Sequence, residues 1–246
     1  MLRYAIVIGL LCGLEWFLGA NGARAAESDA DQKLTDLLDR KIPEINFTGQ
    51  GLADVLDFMR DVSGANIFVN WRALEAAGIA KDAKVDLQLK DVKLRDSLQS
   101  ILDKAAAAAG KATFTVADGI IFISTPVDPK HPRAGVSVIG IPAKRDRKLP
   151  EINFNGQRLA DVIDFLQDVS GVKFSVDWAA MEQAGAGKDV AVVARVRDMK
   201  MSTVLRVIFE SASDGVTPIS CTYVGDAMKV TATPPEKKDA PKAGGK

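Results

Sequence analysis

Apolar residues recur along this chain with two periods, and the switches between them outline its elements. Ile45 and Phe47 alternate with polar neighbours, the period of a half-buried strand. Leu52, Val55, Leu56, Met59 and Val62 follow at helical spacing, and Gly64 is placed to end that helix. Ile67 and Val69 predict a second strand. Asn70 stands before a short helix over Trp71 to Ala77, closed by Gly78, and Asp177 has the same capping position later on. Val85, Leu87 and Leu89 predict a third strand. Leu94, Leu98, Ile101, Leu102 and Ala105 form the stripe of a second long helix, which Ala106 to Ala109 extend by propensity. Phe114 and Val116 face Ile121 and Ile123 across Asp118-Gly119, a two-residue hairpin signal. A preceding helix covers Leu34 to Leu38. The order is β-α-β-β-α-β-β with a short helix between the second and third strands. It predicts an α+β unit with its helices packed on one sheet face.

The same pattern occurs twice. Lys41 to Gln50 recurs as Lys148 to Gln157, 107 positions on. The correspondence continues through Leu52-Ala53-Asp54-Val55 and Leu159-Ala160-Asp161-Val162, and through Asp61 to Gly64 and Asp168 to Gly171. Trp71 matches Trp178. Two tandem domains are expected, at 31–126 and 148–233, with a linker at 127–147 in which Val136 to Ile139 has the composition of a short strand. Residues 234–246 are rich in Pro, Lys, Gly and Ala and read as a disordered tail.

The pattern Asn-Phe-x-Gly-Gln-x-Leu-Ala-Asp-Val, leading into Asp-Val-Ser-Gly, resembles the secretin and TonB N-terminus short domain. The resemblance covers most of each copy. It implies a periplasmic module that contacts other proteins and brings no catalytic residues. The pattern consists mostly of core and turn positions, so it speaks more to fold than to function.

The N-terminus is consistent with export. Arg3 precedes the apolar run Tyr4 to Leu14, and Ala23-Arg24-Ala25 fits the small-x-small rule, which predicts a signal peptide at 1–25 cleaved after Ala25. Glu15 interrupts the apolar run, and an uncleaved anchor is the rival reading. Cleavage leaves no membrane span and makes Cys221 the only thiol, so no intramolecular disulfide is expected. The whole chain of 246 residues has 32 basic and 32 acidic side chains and one His. That balance argues against nucleic acid as a partner, and the ligand count against a structural zinc site. No cofactor is implied.

Candidate chemistry is sparse. Asp54, Asp57 and Asp61, with their counterparts Asp161, Asp164 and Asp168, offer carboxylates for acid–base work. The helical wheel places them opposite the apolar stripe, as a solvated ridge. Gly185-Ala186-Gly187-Lys188 lacks the Gly and the Ser or Thr of a phosphate loop, with Glu182 and Asp189 in their places. Cys221 aligns with Phe114 and reads as a small core residue. His131 lies in the linker, and the sequon Asn46-Phe47-Thr48 falls inside a strand. Trp71 and Trp178 are candidate partner anchors as well as lids on the core edge. Val190 to Ala194 is apolar on both faces, so Val193 is expected to pack against the first copy or an interface.

The expected role is therefore a non-enzymatic interaction or scaffold module of the cell envelope, binding an envelope protein or itself. The alternative is a small-ligand or cell-wall-binding module that uses a groove between the copies.

Overall fold

The computed structural model describes residues 29–106, 110–126 and 135–233. The leader, His131 and the tail lie outside the described residues, as does the Ala107 to Ala109 extension. The chain is α+β. No helix among the described residues is long and apolar enough to cross a membrane.

In the first half, α1 (Asp29–Leu38) is followed by β1 (Ile45–Gly51), α2 (Leu52–Ser63), β2 (Asn66–Val69) and α3 (Trp71–Ala76). Then come β3 (Lys84–Leu89), α4 (Leu94–Ala105), β4 (Thr113–Ala117) and β5 (Ile120–Ser124). The second half opens with β6 (Val136–Ile139) and β7 (Lys148–Leu149). It continues with β8 (Ile152–Arg158), α5 (Leu159–Ser170), β9 (Lys173–Val176), α6 (Trp178–Gln183) and β10 (Ala191–Val196). It ends with β11 (Met199–Lys200), α7 (Met201–Ala212), β12 (Ile219–Val224) and β13 (Ala227–Ala232).

The local signals form the elements for identifiable reasons. Gly64 and Gly171 sit at φ near +68° and return their N–H groups to Arg60 and Gln167, closing α2 and α5. The Asn70 and Asp177 side chains accept from the N–H groups of Ala73 and Ala180, capping α3 and α6. Asp118 (φ 50°) and Gly119 (φ 74°) turn β4 into β5. Gly119 is needed for space as well, because a Cβ there would lie 3.1 Å from the Ala30 methyl of α1.

The expected single sheet is divided. In the first half β1 pairs antiparallel with β3, while β2, β5 and β4 form a separate sheet in that order. The helices α2 and α4 touch each other, and each reaches both sheets. Their apolar stripes explain this: Leu52, Val55, Leu56 and Met59 on α2 are all essentially inaccessible, as are Leu94, Leu98, Ile101 and Leu102 on α4. Faces this wide need apolar cover on two sides. The second half repeats the arrangement with β8–β10 and with the sheet β6-β12-β13-β9.

The connecting segment is not wholly a linker. β6 pairs in parallel with β12 from Val136↔Ile219 to Ile139↔Thr222, so it extends the second sheet. Helix α1 occupies the corresponding flank of the first half, against β4.

Candidate functional site

The two halves meet along a packed seam. Alternation along β2 and β5 sends Ile67, Val69, Ile121 and Ile123 into the core of the first half. It sends Phe68, Ile120 and Phe122 out of that core and into the apolar cluster of the second half. Phe68 and Phe122 stack edge-on at 5.6 Å. The Arg206 guanidinium of α7 lies 4.8 Å above the Phe122 ring and reaches Asp118 at 2.5 Å.

Polar groups lock the register of this seam. The Asn66 amide donates to the Arg197 carbonyl at 3.0 Å and accepts from the Arg197 N–H at 2.8 Å, as a strand neighbour would. Arg72 donates to the carbonyls of Gly185 (2.9 Å) and Ala212, the second of these at the end of α7. Asp61 holds Arg195 at 3.5 Å and Arg197 at 3.2 Å, and Glu151 holds the same pair at 3.1 and 3.2 Å. Hydrogen bonds from Arg195 and then Arg197 keep the Glu151 carboxyl below its ordinary range. Arg60 is buried and donates to the Ile67 carbonyl at the edge of β2, with Asp57 beside it. Burial pushes its guanidinium below the usual value, and Asp57 opposes that shift.

Two crevices open along the seam. The larger, of about 1000 Å³, lies between α1, the Asp118-Gly119 turn, β6 and the residues around β11. The smaller, about 200 Å³, is lined by Trp71, Lys81, Asn153, Asn155 and Val193 among others. Val193 is half-buried there beside Val69, and its N–H and C=O are both bonded to the Ser211 hydroxyl where the pairing of β10 with β8 shifts register.

Trp71 and Trp178 are both half-buried against their own cores, each with a lysine over its ring: Lys81 at 5.8 Å and Lys188 at 5.6 Å. Trp71 borders the smaller crevice, whereas Trp178 lines neither. The two indoles therefore share neither of these crevices.

The six helix carboxylates are exposed, and the structure does not gather them into a cleft. Asp57 reaches the smaller crevice with Arg60 against it, Asp61 binds two arginines, and Asp161 binds Arg158 at 2.9 Å. Gly185 gives its carbonyl to Arg72, and Lys188 covers Trp178. Cys221 is buried, which pushes its thiol up to about 12. Asn46 lies within β1. Among the described residues, no group of three or more His, Cys, Asp or Glu is placed to hold a metal ion.

Sequence reasoning missed Phe68, Ile120, Phe122, Asn66 and Arg72. The signal lay in the internal alignment. Asn66-Ile-Phe-Val and Ile120-Ile-Phe-Ile are apolar on both faces, whereas the matching Lys173-Phe-Ser-Val and Ala227-Met-Lys-Val alternate.

Comparison of the chain with family models, with curated proteins and with solved structures gives no match.

Proposed function

We propose that this chain is an exported, non-enzymatic interaction or scaffold module of the cell envelope, related to the secretin and TonB N-terminus short domain. The observation that carries the reading is how the seam is built. The first half buries Phe68, Ile120 and Phe122 against the second, and the solvent face of α5 and the edge of β9 stay open. Small α+β modules commonly recruit protein segments through such faces and edges. The residues of the family pattern hold matching places in both halves. Phe47 and Phe154 are buried strand residues, and Gly64 and Gly171 are left-handed caps. Export is supported by the charged start, apolar run and small-residue motif of residues 1–25.

The test is crosslinking in living cells, followed by capture through a C-terminal tag and mass spectrometry. Enrichment of envelope proteins with crosslinks on α5 or β9 supports the interaction role. Recovery of uncrosslinked monomer alone would overturn it.

A second reading, small-ligand or cell-wall binding between the halves, has one observation in its favour, the crevice of about 1000 Å³. Protection of that seam by peptidoglycan fragments in hydrogen exchange would support it.

A further inference from the structure

We infer that the solvent face of α5 around Asp164, Phe165 and Asp168 is a docking site for a partner segment that carries arginine or lysine beside an apolar side chain. The inference rests on the interaction role proposed above and specifies its partner chemistry.

The first observation is a reversal of the usual pattern of divergence. Helices α2 and α5 differ only at Leu56/Ile163, Met59/Leu166 and Arg60/Gln167. Five of these six residues are buried, Gln167 being exposed. Every position exposed in both helices is identical: Asp54/Asp161, Asp57/Asp164, Phe58/Phe165 and Asp61/Asp168. Helices α4 and α7 behave in the opposite way. They share only Leu98/Leu205, Ile101/Ile208 and Ala105/Ala212, the first two pairs fully buried. Exposed substitutions usually change stability by less than about 0.5 kcal/mol, so folding constrains such a face only weakly.

The second observation is the aromatic in that face. Phe58 and Phe165 are each 43% exposed. Each sets its ring edge-on to a buried Phe beneath, at 5.7 Å from Phe47 and 5.6 Å from Phe154, with interplanar angles of 86°. The same half-open ring is thus presented twice, in the same pose, between carboxylates. A cation beside an aromatic face gains from both neighbours.

The third observation shows what such a ridge receives. In the first half Asp61, at the end of the ridge, already holds Arg195 and Arg197 of the second half. Its counterpart Asp168 is exposed, and neither it nor Asp164 has an ion-pair partner among the described residues. The cations near α5 are committed elsewhere. Arg158 pairs with Asp161 and Asp189, while Arg145 and Arg147 donate to the carbonyls of Gly171 and Val169 at the helix end. A second copy of this chain does not fit the role. At the places of Val193, Arg195 and Arg197 its first half offers Asp86, Gln88 and Lys90.

The test pans the full chain against a random peptide library and measures the recovered peptides on charge-altered variants. Enriched peptides are expected to pair Arg or Lys with a bulky apolar residue and to bind more tightly at low salt. They should lose affinity by about tenfold or more on Asp164→Lys/Asp168→Lys, and by less on the milder Asp164→Asn/Asp168→Asn. Lys229→Glu, on the open sheet face, should leave binding unchanged. Unaltered thermal melts show that the variants are folded. Enrichment of peptides without basic residues, equal binding to the charge-reversed chain, or no enrichment at all would overturn the inference. If in-cell crosslinking still finds a partner, only this face and its chemistry are lost, and the interaction role stands.

Discussion

Phe68, Ile120 and Phe122 in the first half share strand register with Ser175, Ala227 and Lys229 in the second. The first set is covered by the other half of the molecule, whereas Ser175 and Lys229 face solvent. On the opposing side of the seam, Arg195, Arg197 and Arg206 correspond to Gln88, Lys90 and Gln99. Both partners of the seam therefore occur once. A duplicated unit with identical faces would carry its contact on to a third unit, and such head-to-tail contacts form open chains unless the rotation closes. Here the terminal sheet face is hydroxyl- and lysine-bearing. The difference teaches that these two halves are specialised as an inner and an outer unit.

That comparison can be broken in order of expected effect. Phe68→Ala empties the centre of the seam and is expected to cost about 3–5 kcal/mol in denaturant unfolding. The matching change in the other half, Ser175→Ala, should be nearly neutral. If the two behave alike, the inner and outer faces are not distinct. Asn66→Ala removes the paired bonds to Arg197 and leaves the Arg197 N–H and C=O without these partners. A loss of about 1–3 kcal/mol is expected, whereas Lys173→Ala at the matching position should fall within the error of the same measurement.

Cys221 sharpens the contrast within a register position, since it is buried where Phe114 is only half-buried. Burial pushes its thiol from an ordinary 9.0 up to about 12. The unfolded chain therefore loses this proton first as pH rises. Stability from this group is complete below about pH 9 and falls between 9 and 12, by up to about 1.4 kcal/mol per pH unit. The difference between the wild type and Cys221→Ala, measured across that window, isolates the effect. The same burial predicts no reaction with thiol reagents until the chain unfolds. The smallest effect belongs to Asp61→Asn. Its ion pairs with Arg195 and Arg197 are partly exposed, so the loss should stay under about 1 kcal/mol and shrink with added salt.

Elements with a purely local cause were legible in the sequence. The stripe Leu52, Val55, Leu56, Met59 gave α2, Gly64 its end, Asn70 and Asp177 their caps, and Asp118-Gly119 the hairpin. Features that depend on a distant partner were not. Nothing local in Val136 to Ile139 says that it pairs with β12. Nothing in α2 alone says that its stripe must touch two sheets. The apolar excess at Val193 directed attention to β10, yet the larger two-faced strands are β2 and β5, which the position-by-position comparison of the halves exposes. Trp71 and Trp178 drew notice by residue type, whereas Asn66 and Arg72 have roles set by backbone groups more than a hundred positions away.

The seam also has a history within each molecule's lifetime. Asn66 waits for Arg197, 131 residues later, and Arg72 for Ala212, 140 residues later. At a synthesis rate of about 5–20 residues per second, that interval is on the order of ten seconds. Until the second half arrives, Phe68 lacks the apolar cover that half supplies, and Ile120 and Phe122 join it as they are made. A chain paused or truncated before α7 would meet chaperones and proteases as an incomplete product. The uncovered patch of Phe68, Ile120 and Phe122 is what distinguishes such a product from the finished chain.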